Sequence, residues 1–252
     1  MPGASKIEWT QATWNPVTGC HKVSPGCAHC YAETFAERFR GVPGHPYEQG
    51  FDLKLWPDRL NVPIRWRTPK LVFVNSMSDL FHEDIPFEFV REVFATMSAA
   101  SWHTFQILTK RHERLAELAP SLGWPPNVWM GVSIENRRFV KRADYLRLVP
   151  ASVRFISAEP LLGKLEGLNL TGIDWVIGGG ESGHRHRPVQ PEWLRDLRDQ
   201  CVSSGIPFFF KQWGGRTSKM GGRTLDGKQW SQLPLRQLAA DRLDSQLVTG
   251  VR

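Results

Sequence analysis

Long apolar segments are missing from this chain of 252 residues. It contains no window of about 18 or more apolar residues, the length that a membrane-spanning helix needs. The N-terminal residues MPGASKIEWTQ lack the charged and then apolar pattern of a secretory signal peptide. We therefore expect no membrane association and predict a cytoplasmic protein.

Cysteine is also scarce, with four residues in the whole chain. Four unevenly spaced cysteines make a poor disulfide framework for a protein of this size, and a reducing compartment would not sustain one. Three of them, Cys20, Cys27 and Cys30, fall within the stretch TGCHKVSPGCAHCYAETFAERF. This clustering indicates a metal site or catalysis.

Acidic residues are outnumbered by basic ones, 25 against 32, which gives a formal net charge of +7. Such an excess favours polyanionic partners. The basic runs ENRRFVKR and HRHR could contact phosphate, although short runs of this kind are also common on solvated surfaces. Charge alone therefore leaves a nucleic-acid partner open.

Short apolar runs alternate with helix-like stretches over most of the chain. The runs are nearly continuous in apolar residues, as in strands covered on both faces, and occupy 71–74, 104–108, 127–132, 153–157, 174–178 and 206–210. The helix-like stretches lie at 86–100, 110–119, 136–149 and 190–205. This repetition predicts an α/β fold of parallel (βα) units that form a complete or partial TIM-like barrel.

Polar side chains follow the predicted strands, where the loops of a barrel form one common mouth. Three consecutive strands end in a small residue, a spacer and a glutamate, which gives Glu135, Glu159 and Glu181. We predict that these carboxylates face one cavity, with Lys110 and Lys211 as charge partners, and that Glu135, Glu159, Lys110 and Lys211 are catalytic. The alternative is that strand ends are polar because loops are solvated.

The domain organisation follows from interruptions of this pattern. Residues 1–213 are predicted to form a single barrel domain with a cysteine loop at 18–32. The segment 41–69 is dense in proline, glycine and tryptophan and is expected to be an ordered insertion. Residues 214–252 are interpreted as a C-terminal tail or lid.

The cysteine spacing Cys-x6-Cys-x2-Cys supplies three thiolates from one loop. Structural zinc uses four ligands and would need His21, His29 or the distant Cys201 to complete its tetrahedron. An iron-sulfur cubane on three thiolates instead leaves one iron open to a substrate or cofactor. The ligand count favours a cluster on Cys20, Cys27 and Cys30, while zinc remains the alternative.

A three-cysteine loop at a barrel entrance, followed by the aromatic-bearing helix in CAHCYAETFAERF, resembles the radical S-adenosylmethionine superfamily, particularly its spore photoproduct lyase branch. The GGE within GGGES is similar to the segment with which that superfamily holds the methionine amino group. A wider set of motifs resembles the gp thirty-seven / gp sixty-eight family of phage and bacterial three-cysteine proteins: IEWTQATWNPVTGC, FVNSMSDLFHEDIP, FQILTKR, GVSIEN, SAEPLLG, VIGGGESG and PFFFKQWG.

This resemblance implies a radical enzyme with a 4Fe-4S cluster and S-adenosylmethionine as cofactors. It implies an electron donor such as a flavodoxin or ferredoxin and, by analogy with the lyase branch, a nucleic acid or nucleotide-like substrate. The cofactor-binding residues would be Gly179, Gly180, Glu181, Ser76, Asp79 and Ser133. Two features depart from the superfamily pattern: the first cysteine gap is six residues instead of three, and GGGES follows a late strand instead of an early one.

Two other functions fit the same residues. A metal-dependent hydrolase or nuclease would gather a divalent ion on Glu135, Glu159, Asp79 and His82. A zinc-stapled nucleic-acid-binding protein would use the cysteine loop for structure alone.

Overall fold

The computed structural model describes Ser5 and residues 7–234. The strands of this part of the chain are β1 (Ala12–Trp14), β2 (Val17–Thr18), β3 (Lys54–Leu55), β4 (Leu71–Val74), β5 (Thr104–Thr109), β6 (Val128–Ser133), β7 (Val153–Ala158), β8 (Trp175–Gly179) and β9 (Phe208–Gln212). Seven of them are parallel and form one sheet in the order β1-β4-β5-β6-β7-β8-β9, and β2 pairs with β3 in a separate antiparallel ribbon.

The seven-stranded sheet curls into a half-barrel, which confirms the predicted partial TIM-like fold. Its strand order follows the chain order, as right-handed βα crossovers produce. The six apolar runs are all strands, with ends displaced by at most two residues. β1 was not predicted, because three residues at the sheet edge carry too little pattern.

Among residues 7–234, five α-helices accompany the strands: α1 (Tyr31–Ala36), α2 (Phe87–Ala99), α3 (His112–Leu118), α4 (Arg142–Arg147) and α5 (Pro191–Ser203). α2 buries a stripe that includes Val90, Val93 and Met97, and α5 begins with Pro191 in its first turn. The same part of the chain has six single-turn 3-10 helices, at Pro25–Cys27, Glu37–Phe39, Pro57–Arg59, Pro63–Arg65, Ala119–Ser121 and Arg137–Phe139. Within the described part of the chain, none of the helices has the length and apolarity to cross a membrane.

Alternate residues along each strand supply two separate cores. Val72 and Val74 of β4 join the larger core, which the helices cover. Phe73 points the other way, into a second core with Trp9 and Trp175. The Trp9 ring lies 4.7 Å from Phe73 and 6.2 Å from Trp175, measured between centroids. The inner face of the half-barrel is thus filled with aromatic side chains.

The segments outside the repeats are attached by specific contacts. In the 41–69 segment, Trp56 Nε1 donates to Thr18 Oγ1 at 2.9 Å, which ties it to the strand before the cysteine loop. After β9 the chain returns along the sheet edge, where Phe210 N donates to the carbonyl of Trp230 at 2.9 Å. Residues 235–252 of the predicted tail lie outside the described residues.

Candidate metal centre and adjoining cavity

The cysteine loop is held over the carboxyl ends of the first strands. Gly19 N donates to the carbonyl of Met77 at 3.0 Å, and Gly19 also forms a parallel bridge with Ser78. Gly19 has a φ of +87°, and a Cβ there would overlap the backbone of Asp52. This tight passage fixes the loop immediately before Cys20.

A cavity of about 530 Å³ opens beside this loop at the carboxyl end of the half-barrel. Its size suits a small-molecule ligand. The three cysteines line it and are each partly exposed. Strand-end residues complete the wall, and they include Ser76, Asp79, Lys110, Ser133, Glu159, Glu181, Lys211 and Gln212. Ten of the predicted site residues therefore line one cavity, and their roles stay predictions.

The three cysteine sulfurs do not form one tight group in the described part of the structure. Within the described residues, the cysteine Sγ atoms form no group of three ligand atoms, with each other or with His, Asp or Glu, that all lie within 4.8 Å of one another. Tetrahedral zinc with bonds of about 2.3 Å places its sulfur ligands only about 3.8 Å apart. In a four-iron cubane each thiolate binds a different iron, so its sulfurs lie further apart. The number of donors, three thiols on the cavity wall with no fourth cysteine among the lining residues, fits a cubane with one open iron better than four-coordinate zinc.

Cys20 lies in a charged and enclosed environment. Burial is the main cause that raises the pKa of its thiol to about 12, and the nearby Asp79 acts in the same direction. Arg111 opposes both, because its Nη1 donates to Cys20 Sγ at 3.3 Å. Burial also raises the pKa of Cys30. Because a metal binds the thiolate, metal binding has to deprotonate these thiols against their raised pKa.

Asp79 joins the ends of β4 and β5. Its carboxylate accepts hydrogen bonds from Thr109 Oγ1 at 2.7 Å, from Lys110 N at 3.0 Å and from Phe81 N at 3.1 Å. Only 6% of Asp79 is exposed. These bonds use most of the acceptor capacity of the carboxylate, so Asp79 is placed to position Lys110.

The ammonium of Lys110 has a hydroxyl partner instead of a carboxylate. Its Nζ donates to Ser133 Oγ at 3.1 Å on the next strand. Among the residues that the structure describes, none places a carboxylate oxygen within the 4.0 Å ion-pair distance of this Nζ. A half-buried ammonium of this kind favours an anionic ligand group in the cavity.

Glu159 and Lys211 form an ion pair on the cavity wall, with Lys211 Nζ and Glu159 Oε1 separated by 2.6 Å. Both side chains keep about a sixth of their surface exposed, at 17% and 18%. Gln212 Nε2 also approaches the same oxygen at 3.4 Å. The pair thus offers a proton donor and an acceptor that a ligand can reach.

Glu181 is bound by neighbouring side chains. Arg187 donates Nε to Oε2 at 2.9 Å and Nη2 to Oε1 at 2.5 Å, and His29 Nδ1 lies 3.0 Å from Oε2. Arg187 Nη2 also reaches the carbonyl of Pro25 at 3.0 Å. Burial alone would raise the pKa of Glu181, but these hydrogen bonds outweigh it and lower the pKa. Glu181 therefore connects the end of β8 to the cysteine loop.

The glycines before Glu181 permit close backbone packing. A Cβ on Gly180 would overlap the carbonyl oxygen of Trp213, and a Cβ on Gly179 would touch Gln212 and Glu159 at about 3.5 Å. Packing within this chain therefore explains why residue 180 is a glycine, since a side chain there would collide with the neighbouring backbone.

Ser76 lies against the cysteine loop, because the hydroxyl of Tyr31 donates to its carbonyl. Its own hydroxyl donates to Asn15 Oδ1 at 3.2 Å. The preceding residue, Asn75, has a φ of 58°, which a non-glycine residue adopts only at some cost. The β4 end is therefore held in a specific turn beside the thiols.

Glu135 does not line the cavity and is fully buried. It pairs with Arg142 Nη1 at 2.9 Å and accepts a hydrogen bond from the hydroxyl of Ser24 in the cysteine loop. Its carboxylate also packs against Gly26, where a Cβ would overlap it. The geometry favours a role in supporting the loop, and its catalytic role stays a prediction.

The side chains that a metal-dependent hydrolase would use as ligands do not come together in one group. Of the residues described, His21, His82 and Glu83 form the one group of three His, Cys, Asp or Glu side chains whose ligand atoms all lie within 4.8 Å of one another. His82 Nε2 and His21 Nδ1 are 3.1 Å apart, and Glu83 is already paired with Arg111. Cys201, the distant candidate zinc ligand, is buried in α5 within the core.

A protein-family comparison matches residues 4–234 to DUF5131, a family described as protein of unknown function. This chain belongs to the DUF5131 family. No curated protein matches it in sequence. The predicted gp thirty-seven / gp sixty-eight assignment does not appear among these matches and stays a prediction.

Among solved structures, this DUF5131 chain is similar to spore photoproduct lyase complexed with dinucleoside spore photoproduct, at 12% identity and a TM-score of 0.47. A lyase double mutant with bound AdoMet and dinucleoside spore photoproduct gives 13% identity and a TM-score of 0.49. Each match covers 79% of this chain and 63% of the lyase chain. The chain thus spans less than two thirds of the length of these lyases.

For three residues of this DUF5131 site the sequence did not indicate the contact that the structure has, and it gave His29 only as a possible zinc ligand. Arg111 contacts Cys20, Arg187 binds Glu181, and His29 joins the loop to the same carboxylate. Arg111 directly follows Lys110 at a strand end, so the position that indicated Lys110 also pointed to it. Arg187 belongs to a basic run that was considered only for contact with phosphate.

Proposed function

We propose that this protein is an iron-sulfur enzyme of the radical S-adenosylmethionine type, acting on a nucleic acid or a nucleotide-like substrate. The observation that carries the proposal is the arrangement of three thiols from one loop on the wall of the strand-end cavity, with no fourth cysteine among the residues that line it. Cys20, Cys27 and Cys30 would hold the cluster.

When bound, a reduced 4Fe-4S cluster with one open iron supplies the electron that cleaves a carbon-sulfur bond of S-adenosylmethionine. The protein contributes binding, orientation and exclusion of water. The loop is fixed for this purpose from two sides, by Glu181 through His29 and by Glu135 through Ser24. Both carboxylates would therefore act as positioning residues in the proposed enzyme.

Lys110 is the proposed partner for the carboxylate of the methionine group. Its ammonium lies in the cavity, where the Ser133 hydroxyl is its one side-chain hydrogen-bond partner among the described residues, and Asp79 orients the backbone at Lys110. A charge-assisted hydrogen bond to a carboxylate is stronger than one between neutral groups. Ser76 lies at the neighbouring strand end beside Tyr31 and would face the same cofactor.

The segment Gly179, Gly180 and Glu181 gains less support as a cofactor site. Glu181 already receives hydrogen bonds from Arg187 and His29, and Gly180 is closely packed against Trp213. We therefore propose that this segment shapes the cavity and anchors the loop. The methionine group would instead lie near the ends of β4, β5 and β6.

Glu159 and Lys211 are the proposed residues for proton transfer to or from the substrate. Their 2.6 Å ion pair keeps an acid and a base together at a partly exposed position of the cavity. Lys211, Lys110 and Arg216 give the wall several cations, which together with the net charge of +7 supports a phosphate-bearing substrate. The partial exposure of the cysteines supports electron delivery by a flavodoxin or ferredoxin.

The test is the metal content and reactivity of protein purified without oxygen. We expect about four iron and four sulfide per chain, and formation of deoxyadenosine when dithionite and S-adenosylmethionine are added. Cys27→Ala should lose the cluster, whereas the matched variant Cys201→Ala, which changes a core cysteine, should keep it. Near-stoichiometric zinc without sulfide, or full iron content in Cys27→Ala, would refute the proposal.

A further inference from the structure

Arg111 makes direct contact with one of the three thiols. Its Nη1 donates to Cys20 Sγ at 3.3 Å, and its Nη2 donates to the carbonyl of the adjacent His21 at 3.2 Å. The side chain is only 6% exposed. The guanidinium is therefore directed at the sulfur from inside the protein and is also held by the backbone of the next residue.

The remaining contacts of Arg111 fix this geometry. Its Nε donates to Glu83 Oε2 at 2.6 Å, its Nη1 lies 3.5 Å from Asp79 Oδ2, and its backbone N donates to Thr109 Oγ1 at 2.9 Å. These bonds leave the guanidinium little freedom to turn away. Two carboxylates also compensate part of its positive charge.

The other two thiols lack a comparable partner in the described part of the structure. Cys27 Sγ has the Ser24 hydroxyl at 3.7 Å, and neither Cys27 nor Cys30 receives a hydrogen bond from a charged side chain. The asymmetry matters because hydrogen bonds to cluster sulfurs and local net charge are principal determinants of the reduction potential of iron-sulfur centres.

We propose that Arg111 is a positioning residue that raises the reduction potential of the cluster through its hydrogen bond and charge at Cys20. This inference rests on the proposed function, since it requires a cluster on the three cysteines. One-electron reduction adds a negative charge to the cluster, and a nearby cation stabilises the reduced form more than the oxidised form. The reductant in the test is dithionite, which supplies that electron.

The experiment is an anaerobic redox titration of the holoprotein, followed by electron paramagnetic resonance of the reduced cluster. Arg111→Gln should shift the midpoint potential to more negative values, with iron and sulfide content equal to that of the wild type. Arg111→Lys, which keeps the charge but loses the fixed fork, should shift it less. The matched control is Arg147→Gln, because Arg147 binds backbone carbonyls at Asn169 and Thr171 and contacts no thiol.

A second variant, Glu83→Gln, tests the opposite change, in which the positive charge of Arg111 is less compensated. Glu83 is 58% exposed and pairs with Arg111, so Glu83→Gln should fold and leave the guanidinium less compensated. The midpoint potential should then become more positive, whereas Glu88→Gln, on the exposed face of α2, should not change it. If Arg111→Gln fails to take up a cluster, the midpoint potential of Glu83→Gln decides whether the charge of Arg111 affects the cluster.

The possible results separate the role of Arg111 from the proposed function. A fully loaded Arg111→Gln protein with the wild-type midpoint potential would overturn the role of Arg111 and leave the proposed function intact. An unchanged potential in Glu83→Gln, when Arg111→Gln does not load, would overturn it as well. A wild-type protein without iron and sulfide would overturn both proposals.

Discussion

His29 and Glu181 connect the cysteine loop to the far side of the sheet, with His29 Nδ1 and Glu181 Oε2 separated by 3.0 Å. His29 lies between Cys27 and Cys30 in sequence, while Glu181 follows β8. A residue that the sequence presented as a cofactor ligand thus contacts the loop that carries the thiols. Positioning of the loop and direct binding of a cofactor affect different quantities, the iron content and the cofactor affinity.

Glu181→Gln should reduce the iron content, because the loop loses a charged anchor. Hydrogen bonds that involve a charged group contribute about 1.5–3 kcal/mol, so the free energy of unfolding should fall by about 2 kcal/mol. Iron per chain and urea unfolding measure the two effects. Glu192→Gln, at an exposed position of α5, is the control. Full iron content combined with weaker S-adenosylmethionine binding would instead identify Glu181 as a cofactor ligand.

Lys110→Gln should weaken S-adenosylmethionine binding by about 10-fold to 100-fold, the equivalent of one charge-assisted hydrogen bond. Calorimetric titration of the loaded protein under anaerobic conditions measures the affinity, and iron content should be unchanged. Lys164→Gln removes an exposed lysine away from the cavity and serves as the control. Equal affinity in the two variants would show that Lys110 does not bind the carboxylate.

Gly180→Ala should destabilise the protein by about 1–3 kcal/mol, because the added methyl overlaps the Trp213 carbonyl and forces the strands apart. Gly123→Ala is the control, since a Cβ at Gly123 meets no atom within 4 Å. Urea unfolding of both variants checks the difference. If both were equally stable, the close approach at Gly180 would not explain why glycine is present.

The ion pair between Glu83 and Arg111 should make the free energy of unfolding depend on pH. The hydrogen bond from Arg111 is the main cause that lowers the pKa of Glu83 from 4.5 to about 2. A lowered pKa in the folded state contributes stability above pH 4.5 that is lost as the pH falls towards 2. The stability difference between wild type and Glu83→Gln should therefore shrink over this interval. Unfolding curves at successive pH values measure it, and a constant difference would contradict the assignment.

The sequence was sufficient for the fold because its strands are continuous apolar runs separated by helical patterns. It predicted six of the seven strands of the half-barrel, and it placed Lys110, Glu159 and Lys211 at one mouth, where the structure has them. Glu135, Glu159 and Glu181 follow the same sequence pattern, but their positions in the structure are not equivalent. Glu159 directly follows β7, whereas Glu135 comes two residues after the end of β6 and turns into the interior. Such a difference depends on loop path and long-range partners, which spacing does not encode.

The return of the chain along β9 affects how the protein can be shortened. Phe210 N and the carbonyl of Phe208 are paired with Trp230 and Gln232, well beyond the predicted domain end at residue 213. A chain cut after Trp213 would keep all nine strands yet leave these main-chain groups open at a sheet edge. Exposed edges of this kind pair with other chains, so the shortened protein should aggregate, while one that ends at residue 234 should not.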